Sequence, residues 1–131
     1  MGSRSAAGSL HLPIRLRGIQ LGRPTDILLD LDGWNVLGFA VLCGDDSRRF
    51  LPYAAAVVTD EEIAVGSALM LLGDAGFYEQ RGVSFRSLLG TELAGGTLLD
   101  MTIDATGHVT ELELERDGLR VLAAVPARAA A

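Results

Sequence analysis

The sequence has no lysine, a single cysteine at Cys43, and no apolar run long enough to cross a bilayer. Each absence excludes something. With one thiol, neither an intramolecular disulfide nor a multi-cysteine zinc site can staple the fold, and a cytoplasmic setting is expected. The longest apolar stretches, such as residues 39–43, have the length of a strand, which predicts no direct membrane insertion. All 11 basic residues are Arg, set against 17 Asp and Glu for a formal net charge of −6. A general binder of nucleic acid or anionic lipid needs the opposite sign to displace counterions from phosphates, so neither is an expected partner. Aromatic residues are scarce too, at 5%, so each can be weighed individually.

What remains is a chain of 131 residues, 49% hydrophobic and 21% charged. That is enough apolar surface for a core and too little length for a large multidomain enzyme. Gly, Pro and Asp punctuate most of it every ~8–12 residues, the spacing of short strands joined by turns, so the expected fold class is mainly β. Residues 1–9 are small and polar, with no apolar stretch after Arg4, and read as disordered rather than as a signal peptide. A first apolar run over 25–29 closes in a turn at Asp30 to Gly33. Residues 36–43 then run almost without a polar side chain, as a strand covered on both faces does. Further extended segments are expected over 49–53 and 54–58, with Pro52 at an edge or bulge, and over 63–65.

From Ser67 to Arg81, Leu69, Leu72 and Phe77 fall at roughly helical intervals broken by Gly73 and Gly76, which predicts a short helical connector. After Gly82 the period-2 alternation is clearest. Leu99, Met101 and Ile103 alternate with Asp100, Thr102 and Asp104, and Leu112 and Leu114 alternate with Glu111, Glu113 and Glu115, around a turn at 104–108. This is a hairpin with one wet face. Val109 is out of phase with Leu112 and Leu114, so it belongs either to the turn or to a register-correcting bulge. Residues 121–125 add a last strand.

The two β regions resemble each other: Leu21-Gly22, then Asp32-Gly33 and Gly38, has a weaker counterpart in Leu89-Gly90, then Asp100, Ile103-Asp104 and Gly107. A repeat of about fifty residues buries little core alone, so the halves pack on each other or on a second subunit. Together with Phe50-Leu51-Pro52, Ile63-Ala64-Val65 and Val109, these residues are similar to the PRC-barrel domains. That family is named for the cytoplasmic domain of the photosynthetic reaction-centre H subunit and includes the C-terminal domain of the ribosome maturation factor. The resemblance spans about residues 16–125 as two partial copies and rests on fold-forming positions, none of them a catalytic signature. It implies a small six-stranded β-barrel, and the chain is accordingly expected to form two PRC-barrel-like β-barrel halves, 16–66 and 83–125, joined by the helical connector at 67–82. A disordered N-terminal arm or appended remnant at 1–15 and an Ala-rich tail at 126–131 complete the chain. It also implies a surface that binds protein.

Among candidate sites, Asp26, Asp30 and Asp32 invite a calcium reading, but Gly33 follows Asp32 directly and Val41 stands where the twelfth-position Glu of an EF-hand belongs; a turn is the better reading. Asp45 and Asp46 with Arg48 and Arg49 form a solvated turn of both signs, in which the Arg pair can anchor an acidic partner. Asp60 to Glu62 is an acidic turn tip. His108 and His11 read as surface or structural histidines, and Cys43 as a buried, inert thiol. No nucleophile elbow, phosphate loop, dinucleotide fingerprint or paired catalytic carboxylate occurs, so no catalytic residue, cofactor or metal is predicted. Phe39 belongs to the core, whereas Trp34 after a turn glycine, with Tyr53 and Phe77, makes a candidate contact patch beside Arg48 and Arg49; the competing reading has the three aromatics capping the ends of the barrel. The expected function is that of a non-enzymatic interaction module, homodimeric, with a protein partner. The alternative is a small-ligand binder with its cavity between the two halves.

Overall fold

The computed structural model describes residues 2–126. The chain is mainly β, with 52% strand against 15% helix, in two sheets curled into a half-barrel. In chain order the strands are β1 (Arg4–Ser5), β2 (Ile14–Leu16), β3 (Ile19–Asp30), β4 (Asn35–Cys43), β5 (Arg48–Pro52), β6 (Ala56–Val58), β7 (Ile63–Val65), β8 (Val83–Ser84), β9 (Glu92–Leu93), β10 (Gly96–Ile103), β11 (Val109–Arg116) and β12 (Leu119–Ala124). Three short helices intervene: α1 (Ala6–Ser9), α2 (Ala75–Glu79) and α3 (Phe85–Leu88). One sheet runs β5-β4-β3-β2-β7-β6 with β8 also on β3; the other runs β1-β10-β11-β12 with β9 also on β10. All pairings are antiparallel except β2 with β7.

The long strands β3 and β10 organise the two sheets in the same way. Each starts from a tight hairpin, at Arg17-Gly18 or Ala94-Gly95, in which both turn residues have positive φ, as type I′ turns require. Each then carries a register shift just before an aspartate, between Pro24 and Asp26 in β3 and between Leu98 and Asp100 in β10. A second shift lies between Leu28 and Leu29, and between Thr102 and Ile103. At its far end each long strand receives a two-residue strand leading into a one-turn helix. The receiver of β8 and α3 is β3, and that of β1 and α1 is β10. These hooks cross over: the N-terminal hook docks on the C-terminal sheet, and the hook after the connector docks on the N-terminal sheet.

Several expectations change. Residues 1–15 are not a free arm: Arg4 and Ser5 pair with Ile103 and Thr102, and Ala6 and Ile14 are fully buried. The small side chains that read as disorder are what let a one-turn helix lie close against β10. Between 67 and 82 there is no continuous helix. A 3₁₀ turn at Ala68–Met70 and α2 flank a bridge between Leu72 and Phe50. Leu99 does not share a face with Met101 and Ile103, because the bulge makes Leu98 the buried residue instead. Val109 is restored to the core by a bulge, since Ile103 pairs with Val109 while Thr102 pairs with Glu111. Leu21-Gly22 does not match Leu89-Gly90 in register: counted from the aspartate, Gly22 in β3 stands where Gly96 stands in β10. Of the expected tail, 127–131 lies outside the described residues.

A single apolar cluster joins both sheets and both hooks. It includes Ile27, Leu29, Phe39 and Leu51 from one sheet, Leu98, Met101, Leu112 and Leu114 from the other, and Ala6 and Phe85 from the helices. Burying so many side chains of this size, each worth ~1.5–3 kcal/mol against exposure, makes neither half an independent core. Gly38 lets β4 and β5 close on each other: a Cβ there would lie 2.2 Å from the Leu51 carbonyl oxygen and 2.6 Å from Phe50 Cζ. No other residue type fits.

Candidate protein-interaction surface

Of the five residues singled out from the sequence, the structure brings Arg48 and Phe77 together at α2, with Arg49 next in β5 and turned to the other face of the strand. Arg48 and Arg49 stand on β5, and Phe77 projects from α2, which packs over β4 and β5. The helix starts because Asp74, in the left-handed region, accepts a hydrogen bond from the Phe77 N–H with its carboxylate at 3.3 Å. This aims Tyr78 inward, where it stacks on Phe50 at 4.3 Å between ring centroids and 9° between planes. Phe77 stays 42% exposed and meets Tyr78 edge-on at 5.0 Å. The Arg81 guanidinium lies 3.5 Å from the Phe77 ring centroid, and its Nη1 donates to the Phe77 carbonyl at 3.1 Å. The result is a ladder of Phe50, Tyr78, Phe77 and Arg81 running from core to solvent.

Arg48 closes an ion pair with Glu79 of α2, and Arg49 donates to the Leu71 carbonyl at 3.4 Å and to Ser47 Oγ at 3.3 Å. The 3₁₀ turn leading into the Leu72 bridge exposes Leu69 to 85% and Met70 as well. A surface of aromatic and aliphatic side chains set beside Arg48 and Arg81 thus sits on a chain whose net charge is −6. Tyr78 and Arg81 were missed from sequence. Arg81 stands in the turn just past α2, where its N–H bonds the Tyr78 carbonyl and its guanidinium folds back over Phe77.

Trp34 and Tyr53 lie elsewhere. Trp34 is not an exposed anchor, being only 3% accessible. Its φ of 54° swings the chain after Gly33 so that the indole turns back into the core, while its carbonyl accepts from Val109 N–H at 2.8 Å. The indole Nε1 is buried without a hydrogen-bond partner. Tyr53 is half-buried, 6.0 Å from Phe39, with its hydroxyl donating to the Asp104 carbonyl at 3.3 Å. Its ring lies on Gly107, where a Cβ would come within 2.9 Å. Burial raises the Tyr53 pKa above the usual phenol value, the Asp104 charge adds to this, and Arg4 opposes it. Both aromatics therefore close the ends of the sheets, and neither joins the Phe77 surface.

Of the aspartates considered for calcium, Asp26 accepts hydrogen bonds from Ile27 N–H, Ser84 hydroxyl and Arg86 N–H, and Asp30 accepts from Asp32 N–H. Among the described residues no three His, Cys, Asp or Glu side chains converge. Asp45 is held below the usual carboxylate range by hydrogen bonds from Ser47, and Asp104 likewise, first by Thr106 and then by His108 N–H. Between the sheets, a space of about 10 Å³ lined by Ser5, Ser9, Phe39, Tyr53, Val58 and Ile103 has room for one water. An open groove of about 230 Å³ runs between the β1 and β6 edges, beside Arg4, Tyr53 and Val57. No helix is long and apolar enough to cross a membrane among the described residues.

No family model matches the chain, and no curated protein matches it either.

Proposed function

We propose that the chain is a non-enzymatic, cytoplasmic protein-interaction module of the PRC-barrel type, made by duplication of one β unit. It engages an acidic segment of a partner protein through Phe77, Arg81 and Arg48. The observation that carries this reading is the contrast between a filled interior and an exposed aromatic–arginine ladder on α2. Arginine and aromatic side chains are the residue types that most often dominate binding energy at protein interfaces. A bidentate guanidinium suits a carboxylate, and the acidic remainder of the surface repels partners that approach elsewhere. The duplication is supported by the matched hairpins, register shifts and docked hooks of β3 and β10, with the copies beginning at the hooks, near Arg4 and Val83.

The test compares proteins captured by the wild-type chain with those captured by a Phe77→Ser, Arg81→Glu variant whose melting curve is unchanged. Selective loss of a captured protein from the variant is expected, and its capture by the wild type should weaken as salt rises. An identical set on both chains would overturn the reading. The ligand-binding alternative retains open surface grooves, one of about 230 Å³ beside Arg4 and Tyr53, below the ~300–1,000 Å³ usual for ligand pockets, and one of about 410 Å³ beside Gln20, Arg23 and Cys43, within it.

A further inference from the structure

Sheet edges are where a β protein meets other chains, and here they are protected unequally. In the larger sheet β5 ends in Pro52 and is bridged by Leu72, and β6 has three residues; in the smaller sheet β1 has two. Among the described residues the longest of these edges is β12, with six residues, no proline, no register shift and one charged side chain, Arg120. Leu119 and Leu122 on it are 67% and 64% exposed.

The hairpin geometry says which backbone groups of β12 are free. Asp117 and Gly118 both have positive φ and form a two-residue turn, so Arg116 and Leu119 are a hydrogen-bonded pair. Alternation makes Leu114 with Val121 and Leu112 with Ala123 the next such pairs. In agreement, the Glu115 carbonyl faces β10, 3.0 Å from where a Gly96 Cβ would be. The N–H and C=O groups of Arg120, Leu122 and Ala124 therefore point away from β11.

We propose that β12 pairs antiparallel with β12 of a second copy, across a two-fold axis at Leu122. Only this register uses all three outward residues, setting Leu122 against the partner's Leu122 and Arg120 against the partner's Ala124. Shifting it by two residues in either direction strands one of them. The side chains agree with the backbone. On the wet face β11 carries Glu111, Glu113 and Glu115, of which Glu113 is paired with Arg120. Arg116 is spent on the carbonyls of Ala94 and Gly95. Glu111 lies directly behind Ala124 in the β11–β12 register, so the small alanine leaves a path by which the partner's Arg120 exchanges its own Glu113 for Glu111. On the other face Val121 meets the partner's Ala123, and the half-buried apolar layer under both strands becomes continuous. The pairing joins the five strands of each small sheet into one and sets exposed Leu122 against its copy.

The experiment is solution mass by sedimentation equilibrium of the full chain across a dilution series, with two sets of variants. The wild type is expected to associate to a dimer as concentration rises. Leu122→Glu, which sets two carboxylates together on the axis, is expected to be monomeric with an unchanged circular-dichroism spectrum. In a Cys43→Ser background, Leu122→Cys is expected to form a disulfide-linked dimer on mild oxidation, since paired Cα atoms lie about 5.5 Å apart. Arg120→Cys is expected not to, its two copies being roughly 14 Å apart along the strands. A wild type monomeric throughout, a dimeric Leu122→Glu, or equal cross-linking of the two cysteine variants would overturn the proposal. A monomer that still captures a partner through Phe77 would leave the interaction reading standing, because the two surfaces share no residue.

Discussion

Asp26 in β3 and Asp100 in β10 make the same three hydrogen bonds in different sheets. Each accepts from the N–H of the next residue, Ile27 at 2.8 Å and Met101 at 2.7 Å. Each accepts from a serine hydroxyl, Ser84 and Ser5, and from the N–H two residues beyond that serine, Arg86 at 3.1 Å and Ala7 at 2.9 Å. Each serine also caps its one-turn helix, accepting from Ser87 N–H and Gly8 N–H. The two carboxylates fasten the crossed hooks, and through them each sheet is tied to a segment that belongs to the other.

Replacing either aspartate should therefore loosen the whole molecule. Asp26→Ala and Asp100→Ala are each expected to cost ~2–3 kcal/mol, because a hydrogen-bonded carboxylate is lost and partly buried N–H donors are left unpaired. Urea denaturation is the measurement, and both variants should still unfold in one transition. A separate early transition in either would mean that the hook is an appendage.

Gly38→Ala is expected to be among the most damaging single substitutions. Its Cβ has a backbone carbonyl 2.2 Å away, and backbone cannot step aside as a flexible side chain can. A loss of ~3 kcal/mol or more, read from thermal unfolding, is expected. Gly73→Ala, where a Cβ meets nothing within 4 Å, is the control and should change little.

Trp34 is the sole tryptophan, so its fluorescence reports one site. A buried indole should emit to the blue of free tryptophan and resist acrylamide quenching, then shift red on unfolding. Efficient quenching in the folded protein would put Trp34 on the surface.

The pH limbs of stability have assignable contributors. Tyr53, whose folded pKa is raised, contributes stability that is complete below the usual phenol value and is lost as pH climbs past it through the raised one. Tyr53→Phe is expected to flatten the alkaline limb of stability against pH. Asp45 and Asp104, whose pKa values are lowered, contribute stability that is present above the usual carboxylate value and fades as pH falls through the lowered ones. Asp104→Asn is expected to reduce the acid slope, and chemical denaturation in stepped buffers would show both effects.

Phe77→Ser should move stability by less than ~1 kcal/mol, since the ring is partly in solvent, whereas Phe50→Ala, which empties a core position, should cost ~3–5 kcal/mol. A large loss for Phe77→Ser in thermal melts would make that ring a structural support instead of a contact residue.

Much of this architecture was legible because it is local. The hairpin of β10 and β11 follows from alternation around Asp104 to His108, and the strands at 36–43, 49–53 and 63–65 follow from apolar runs between turn residues. One face came out differently. At Leu99 an inserted residue reverses the side-chain phase, and period-2 reading cannot tell which residue of a bulge is the extra one. For the candidate site, Arg48, Arg49 and Phe77 were readable as exposed residue types near turns. That Trp34 would not join them depended on one backbone angle after Gly33.

Turn chemistry, hydrophobic period and charge depend on neighbours along the chain, and they were enough to set the fold class, most strand positions and the acidic, lysine-free surface. The destination of each short segment was not among them. Residues 4–9 have no apolar pattern of their own. They are ordered because Asp100, near the opposite end of the chain, offers an acceptor at the register where Ser5 and Ala7 present donors. Contacts of that sequence separation are repaid only once the two sheets share a core, so the crossed hooks, the burial of Trp34 and the exposed edge of β12 are properties of the assembled molecule.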